Sequence, residues 1–257
     1  MKLKDIIKII ETEYPPKLAY EWDNPGLFYG NPDSDIKKAV VTLDVTPSVI
    51  EEAKKQDAEL ILSHHPFTMG GLKTLADNSM HSDMVKEIVK NEIAIYSAHT
   101  NMDLAKNGIN QKLAELFELE NCEILDKNPD FCDCGLGRVG FLKNEISLYD
   151  FCDVVKEKLN TPFVRVCGEN KKVRKIAVAS GSCSEFVPLA ISKGADVIIT
   201  GDMKYHNCIE FVYDGIAIID AGHYPTEIIV MDMFEGLLKS TDLEIIKSEI
   251  KDIFKVK

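Results

Sequence analysis

Four of the six histidines in this chain stand just past the end of a short apolar run, and two of them have a carboxylate four residues further on. The run from Ala58 to Pro66 (AELILSHHP) delivers the adjacent pair His64 and His65. A second run, IAIYSAHTNMD, ends in His99 and Asp103, and a third, IAIIDAGHYPTE, ends in His223 and Glu227. Buried β-strands read as short apolar runs, and ligands of open α/β sheets collect at the carboxyl ends of strands. Imidazole nitrogen and carboxylate oxygen in one place are what a divalent metal needs. The donors suffice for two ions.

Each donor also has a plainer role. Neighbouring residues point to opposite sides of an extended strand, so His64 and His65 could both ligate only at different ions, or where the backbone turns, as Pro66 encourages. The plain alternative is ordinary hydrogen bonding at a strand end. Asp103 and Glu227 suit the first turn of a helix, where a carboxylate meets the positive end of the dipole. Asp202 and His206, in TGDMKYH, are candidates for substrate contact or proton transfer, with a helix start as the bland reading. His99 reads as a group behind the metal or touching substrate, or as a structural residue. His81 reads as an exposed helix residue.

The elements that must carry these residues are duplicated. Shifting the chain by 137 positions aligns KKAVVTLDVTPSVIEEAKKQDAELILSHHP with RKIAVASGSCSEFVPLAISKGADVIITGDM, each a strand, helix, strand pattern. Further on, Ile93 to His99 matches Ile216 to His223 with one extra residue, and a shift of 124 pairs His99 with His223 and Asp103 with Glu227. Helical spacing is also present in Ser79 to Glu92, in Ser147 to Lys158, and in Thr226 to Leu238, where Glu227 is expected in the first turn after Pro225 and Thr226. MKLKDIIKIIETEY reads as an amphipathic helix rather than a signal peptide. The single tryptophan, Trp22, is expected to anchor that helix, with Asp23 and Asn24 forming a turn before Gly26. The turn-rich stretch Asn128 to Gly140 marks the division. The expected architecture is two similar α/β domains, residues 1–127 and 128–257, with the terminal helix packing on the first.

A chain of 257 residues with 45% hydrophobic and 28% charged residues fits a soluble globular protein, and no apolar run approaches a membrane span. The net charge of -12 counts against binding to a nucleic-acid backbone, though not against a small anion held by a bound dication. Seven scattered cysteines without an export signal read as free thiols in the cytoplasm. Cys132 and Cys134, with Cys122 near them, lack a second pair at zinc-clip spacing.

Five segments in order resemble the Nif-three-like family of dinuclear-metal-centre proteins, many of which carry the label GTP cyclohydrolase 1 type 2 homolog. They are EWDNPGLFYG (Glu21 to Gly30), LSHHP (Leu62 to Pro66), SAHTNMDLAKNGIN (Ser97 to Asn110), TGDMKYH (Thr200 to His206) and DAGHYPTE (Asp220 to Glu227). The resemblance implies metal ligands at His64, His65, Asp103, His223 and Glu227, two α/β domains with two divalent ions between them, and a homohexamer. It implies a short form, because only about seventy residues separate Asn101 from Arg174, leaving no room for the extra middle domain of longer members. Zinc, iron, manganese, cobalt and nickel all suit such donors.

The function implied is that of a metal-dependent hydrolase. The candidate reaction opens the guanine imidazole ring of GTP at C8 with release of formate, and His206 or His99 would carry the proton. No Walker-type glycine loop is present for the phosphates. The alternative is a non-catalytic metal-handling or scaffold protein. An open coordination position and an accessible pocket would separate the enzyme from a storage site.

Overall fold

Strands covered on both faces are apolar along their whole length, and the runs ending in the four histidines are such strands. The computed structural model describes residues 1–72, 74–76 and 79–257. The chain divides into two compact units. One contains Met1–Met102 and Ile228–Lys251, the other Asp103–Glu227 and Asp252–Lys257.

The first unit opens with α1 (Leu3–Glu13), which buries Leu3, Ile6 and Ile10 at helical spacing. There follow β1 (Gly26–Tyr29), β2 (Lys38–Thr42), α2 (Pro47–Lys55), β3 (Leu60–Ser63), α3 (Met80–Lys90), β4 (Ala94–Ser97) and the short α4 (Thr100–Leu104), within which the first unit gives way to the second. Two starts are set by hydroxyl caps. Thr46 accepts from the Val49 amide at 3.3 Å, with Pro47 at the first position of α2, and Ser79 accepts from the Ser82 amide at 3.1 Å.

The second unit contains α5 (Ile109–Leu116), β5 (Glu120–Lys127), β6 (Gly135–Ser147), α6 (Leu148–Lys158), β7 (Arg165–Cys167), β8 (Lys172–Ser182), α7 (Val187–Ser192), β9 (Val197–Gly201), α8 (Tyr205–Tyr213), β10 (Ala217–Asp220) and α9 (His223–Glu227). The chain then returns to the first unit with α10 (Val230–Leu238) and β11 (Glu244–Lys247).

Each unit has its own sheet. The first has the order β1-β4-β3-β2-β11, the second β5-β6-β8-β9-β10-β7. In the first, β11, β2, β3 and β4 run parallel and β1 closes the edge antiparallel to β4. In the second, β8, β9 and β10 run parallel and β7 closes the edge antiparallel to β10. Val40 faces Ile61 across the first ladder, and Ala177 faces Ile198 across the second, both at the offset of 137 read from the sequence. Parallel strands end on one side, so each sheet presents at least three consecutive strand ends together.

Several local expectations need correction. The helical stretch from Thr226 to Leu238 is two helices, broken at Ile228 and Ile229, and Glu227 is the last residue of α9 rather than part of a first turn. The start moves forward because Pro225 sits where no helical amide bond is yet required. Phe234 and Leu238, on α10, are wholly buried in the first unit, where α10 packs on α1 and β2. Trp22 does not anchor α1; it is 61% exposed. Its turn runs from Tyr20 to Asp23, whose amide donates to the Tyr20 carbonyl at 3.0 Å. His81 is half-buried rather than exposed, because the buried Phe67 meets its ring edge-on at 5.7 Å. The compact units meet in sequence at Met102 and Asp103, whereas the sequence division at 127/128 falls inside the β5–β6 hairpin. Residues between Asn101 and Arg174 build the edge strands and helices of the second unit.

Arg138 of β6 is 3% exposed and fixes the segment that follows Asp103. Its guanidinium donates to the carbonyls of Gly135, Gly137, Ala105 and Lys106 and to Gln111 Oε1, at 2.8–3.4 Å. Removing it leaves several buried acceptors without donors, each costly in a low-dielectric interior. Arg138→Ala is expected to lower unfolding free energy by about 3 kcal/mol or more, read from the shift of the urea midpoint at constant slope.

Candidate metal centre

In the first unit the site is built from three adjacent strand ends. The ladder continues past β3, with the His64 amide donating to Thr42 at 3.2 Å and the His65 amide to Leu43 at 2.9 Å. The chain then bends, and the two rings of the pair come to the same place, 5.0 Å apart at 45°. The His99 ring, just past β4, lies 5.1 Å from that of His64 and 5.5 Å from that of His65. One nitrogen of each of the three lies within 4.8 Å of the others. His64 is wholly buried, while His65 and His99 keep 22% and 14% of their side chains exposed.

The orientation of each ring is fixed from behind. His64 Nδ1 donates to the Ala98 carbonyl at 2.9 Å, His65 Nδ1 to Asp44 Oδ1 at 2.7 Å, and His99 Nδ1 to Asp23 Oδ1 at 2.8 Å. A carbonyl or carboxylate only accepts, so the proton sits on Nδ1 and the lone pair of the neutral ring sits on Nε2. This is the outer-sphere arrangement that metal-binding histidines require.

The second unit holds three donors of its own, His223 and Glu227 on α9 just past β10, and Asp103 on α4. His223 Nε2 lies 2.9 Å from Glu227 Oε2, one helical turn apart on α9, and His223 Nδ1 is 2.7 Å from Asp202 Oδ2. Asp202 holds this position with a left-handed backbone, φ +56°, a conformation aspartate tolerates better than most residues. An oxygen of Asp103 lies within 4.8 Å of one from Glu227. Ser180 Oγ donates to Asp103 Oδ1 at 3.2 Å, and Asn110 bridges the Asp103 carbonyl and the Ser180 amide. Glycine is required at 181: its φ is +62°, and a Cβ there would stand 2.1 Å from Glu227 Oε1. The set is nitrogen and oxygen throughout, with buried carboxylates of opposite charge to a cation, which fits a divalent ion.

Of the residues singled out in the sequence, His64, His65 and His99 are brought together in the first unit, and Asp103, His223, Glu227 and Asp202 in the second. His206 is not joined to either group. It is exposed in the first turn of α8, and its ring packs against Tyr205 at 5.5 Å. Sequence reading missed Asp44, Ala98, Asn101, Asn110 and Ser180 as positioning residues. Asn101 accepts from the His99 amide and donates to the Tyr14 carbonyl. Asp44 had a readable signal, because it ends the apolar run of β2 as the histidines end theirs. All seven cysteines are free, and among the described residues the candidate metal-holding groups contain none of them.

Comparison with known proteins identifies the class. The family model for Duf34/NIF3 (NGG1p interacting factor 3) matches residues 1–253, and the chain belongs to this family. It is 38% identical to the GTP cyclohydrolase 1 type 2 homolog of Clostridium perfringens, over 99% of both chains. It is also 38% identical to the protein of the same name from Methanocaldococcus jannaschii, over 96% of this chain and 98% of that one. The crystal structure of a Bacillus cereus protein related to NIF3 superposes with a TM-score of 0.92 at 25% identity, covering 100% and 99% of the two chains. No helix among the described residues is long and apolar enough to cross a membrane.

Asp23 gives the three-histidine cluster of the first unit its pH response. Burial pulls its carboxyl upward, but hydrogen bonds from His99 and Thr100, the charge of His99 and the Asn24 amide outweigh this and hold it at about 2. A carboxylate depressed in the folded state stabilises fully above its unfolded value near 3.8, and the contribution disappears as pH falls through about 2. Asp23→Asn is expected to lose about 2 kcal/mol at neutral pH, with the gap from the parent closing between about pH 4 and 2. Urea midpoints measured across that range check it.

Proposed function

We propose that the chain is a dinuclear divalent-metal protein acting as a metal-dependent hydrolase, with His64, His65, Asp103, His223 and Glu227 as its metal ligands. The observation that carries this reading is the common anchoring of three imidazoles, His64, His65 and His99, through Nδ1, which leaves the Nε2 of each as the donor nitrogen. Folding alone has no need to set three tautomers alike.

Two divalent ions, when bound, polarise the bond to be cleaved and acidify water at neutral pH. The chain's own residues do the rest. His64 and His65 supply nitrogen from a rigid sheet end, and the Ala98 carbonyl and Asp44 hold a ring proton at Nδ1, which leaves Nε2 as the donor. Glu227 and Asp103 supply the charge that holds a dication, with Gly181 leaving room for the Glu227 carboxylate. Asp202 holds the opposite nitrogen of His223. His99 is placed to take and return a proton, because Asp23 fixes its orientation, as in a histidine–carboxylate dyad. His206 has no such partner among its described contacts, which favours His99 over it as proton carrier.

The relatives' name suggests GTP as the substrate to try, with opening of its imidazole ring and release of formate as the reaction. The working form would be a cytoplasmic homohexamer. Elemental analysis of reconstituted protein is expected to approach two equivalents of metal per chain. Gly181→Ala and His65→Ala should lower occupancy without unfolding the chain. Activity should vanish with chelator and return with a divalent ion, followed by formate release and pterin fluorescence. One equivalent at saturation refutes the dinuclear reading. A fully metallated protein that leaves GTP and generic phosphoester and amide substrates unchanged refutes the hydrolase, and makes metal handling or scaffolding the better account.

A further inference from the structure

Trp22 is the chain's only tryptophan, and 61% of it lies in solvent. Tryptophan is large and costly to leave wet, so its immediate surroundings matter. Its indole stacks on Tyr20, with centroids 5.6 Å apart and planes 17° from parallel. It also meets the His99 ring edge-on, with centroids 6.2 Å apart at 76°. The pair is therefore a flat surface beside the three-histidine cluster of the first unit, not a cage of rings facing a common point.

This surface is held in place by the residues that hold His99. Asp23, next in the chain, has a fully buried side chain that accepts from His99 Nδ1 and from both the amide and hydroxyl of Thr100. Thr100 Oγ1 in turn accepts from the Tyr20 amide at 3.1 Å, and the Asp23 amide closes the turn on the Tyr20 carbonyl. Both ends of the turn are pinned to the strand end that carries His99. An exposed indole fixed in this way is preorganised, and a ligand docking on it spends little to order it.

We infer that Trp22, backed by Tyr20, is a stacking platform for a planar heteroaromatic ring whose polar remainder reaches the histidine cluster. Parallel rings extend a stack and suit a flat π-system, whereas recognition of an ammonium group calls for several rings around one point. This deepens the proposed function and rests on it for the polar end of the ligand. The ring contact stands on the aromatic geometry alone.

Because Trp22 is the only tryptophan, its fluorescence reports on the platform directly. Metal-loaded protein would be titrated with GMP, AMP and a pterin, and with inorganic tripolyphosphate as a ligand lacking a ring. Calorimetry would give the affinities of Trp22→Leu and Trp22→Phe. Saturable quenching by at least one planar ligand is expected. Its affinity should fall about 5- to 100-fold in Trp22→Leu and stay within a few-fold in Trp22→Phe, the range for loss of one stacking contact. Metal content and tripolyphosphate affinity should be the same in all three proteins. The inference is overturned if no planar ligand quenches, if Trp22→Leu binds it as the parent does, or if tripolyphosphate weakens equally. A change in light-scattering mass for Trp22→Leu would overturn it too, by making the indole a contact between chains. Trp22-dependent binding of a planar ligand to protein that takes up no metal would leave the platform standing and remove the metal centre.

Discussion

A neutral imidazole offers a lone pair from one nitrogen only, and here carbonyl and carboxylate acceptors decide which nitrogen that is. The His64, His65 and His99 rings are gripped at Nδ1, while His223 meets a carboxylate at each nitrogen. The grip needs an acceptor at a fixed distance behind each ring, so it needs neighbouring strand ends in register. Parallel strands supply this. The end of β2 provides Asp44 for His65 past β3, and the segment after β4 provides the Ala98 carbonyl for His64. Burial of the strands on both faces is thus what gives the histidines their chemistry, because a sheet free to slip would lose the pairing of acceptor and ring.

The two units apply this device with different donors. The first gathers three imidazoles and keeps its carboxylates, Asp23 and Asp44, behind the rings. The second puts carboxylates in front, at Asp103 and Glu227, and has one imidazole. Glycine at 181 is the counterpart of that choice, since Glu227 occupies the volume a side chain would need. One unit thus fronts its cluster with imidazoles and the other fronts its own with carboxylates.

Much of this was legible in the sequence, for definite reasons. Apolar runs closing in histidine located β3, β4 and β10, because buried parallel strands have no polar positions to disguise them. Ser147 to Lys158 held up as α6 with Ser147 as its cap, since hydroxyl caps act locally. What failed depended on distant partners. Trp22 was expected to anchor α1, yet Asp23 and Thr100, far apart in sequence, pin its turn at the surface. The break at Ile228 and Ile229 escaped notice because both residues fit a helical pattern. Asn101, Asn110 and Ser180 were invisible as positioning residues, because a single buried amide or hydroxyl carries no periodic signal.

The first unit is not continuous along the chain. Its edge strand β11 pairs with β2, Glu244 facing Lys38 and Lys247 facing Val41, and its helix α10 also lies beyond residue 227. The sheet of the second unit, by contrast, is drawn wholly from β5 to β10, inside one stretch of chain. Synthesis proceeds from the N-terminus, and strands must wait for their partners. The order of folding therefore inverts the order of the sequence. The three-histidine sheet emerges first but is completed last, when some two hundred residues of intervening chain have been made and its closing strand arrives. Until then the β2 edge stays open, with its backbone groups exposed to whatever strand comes near.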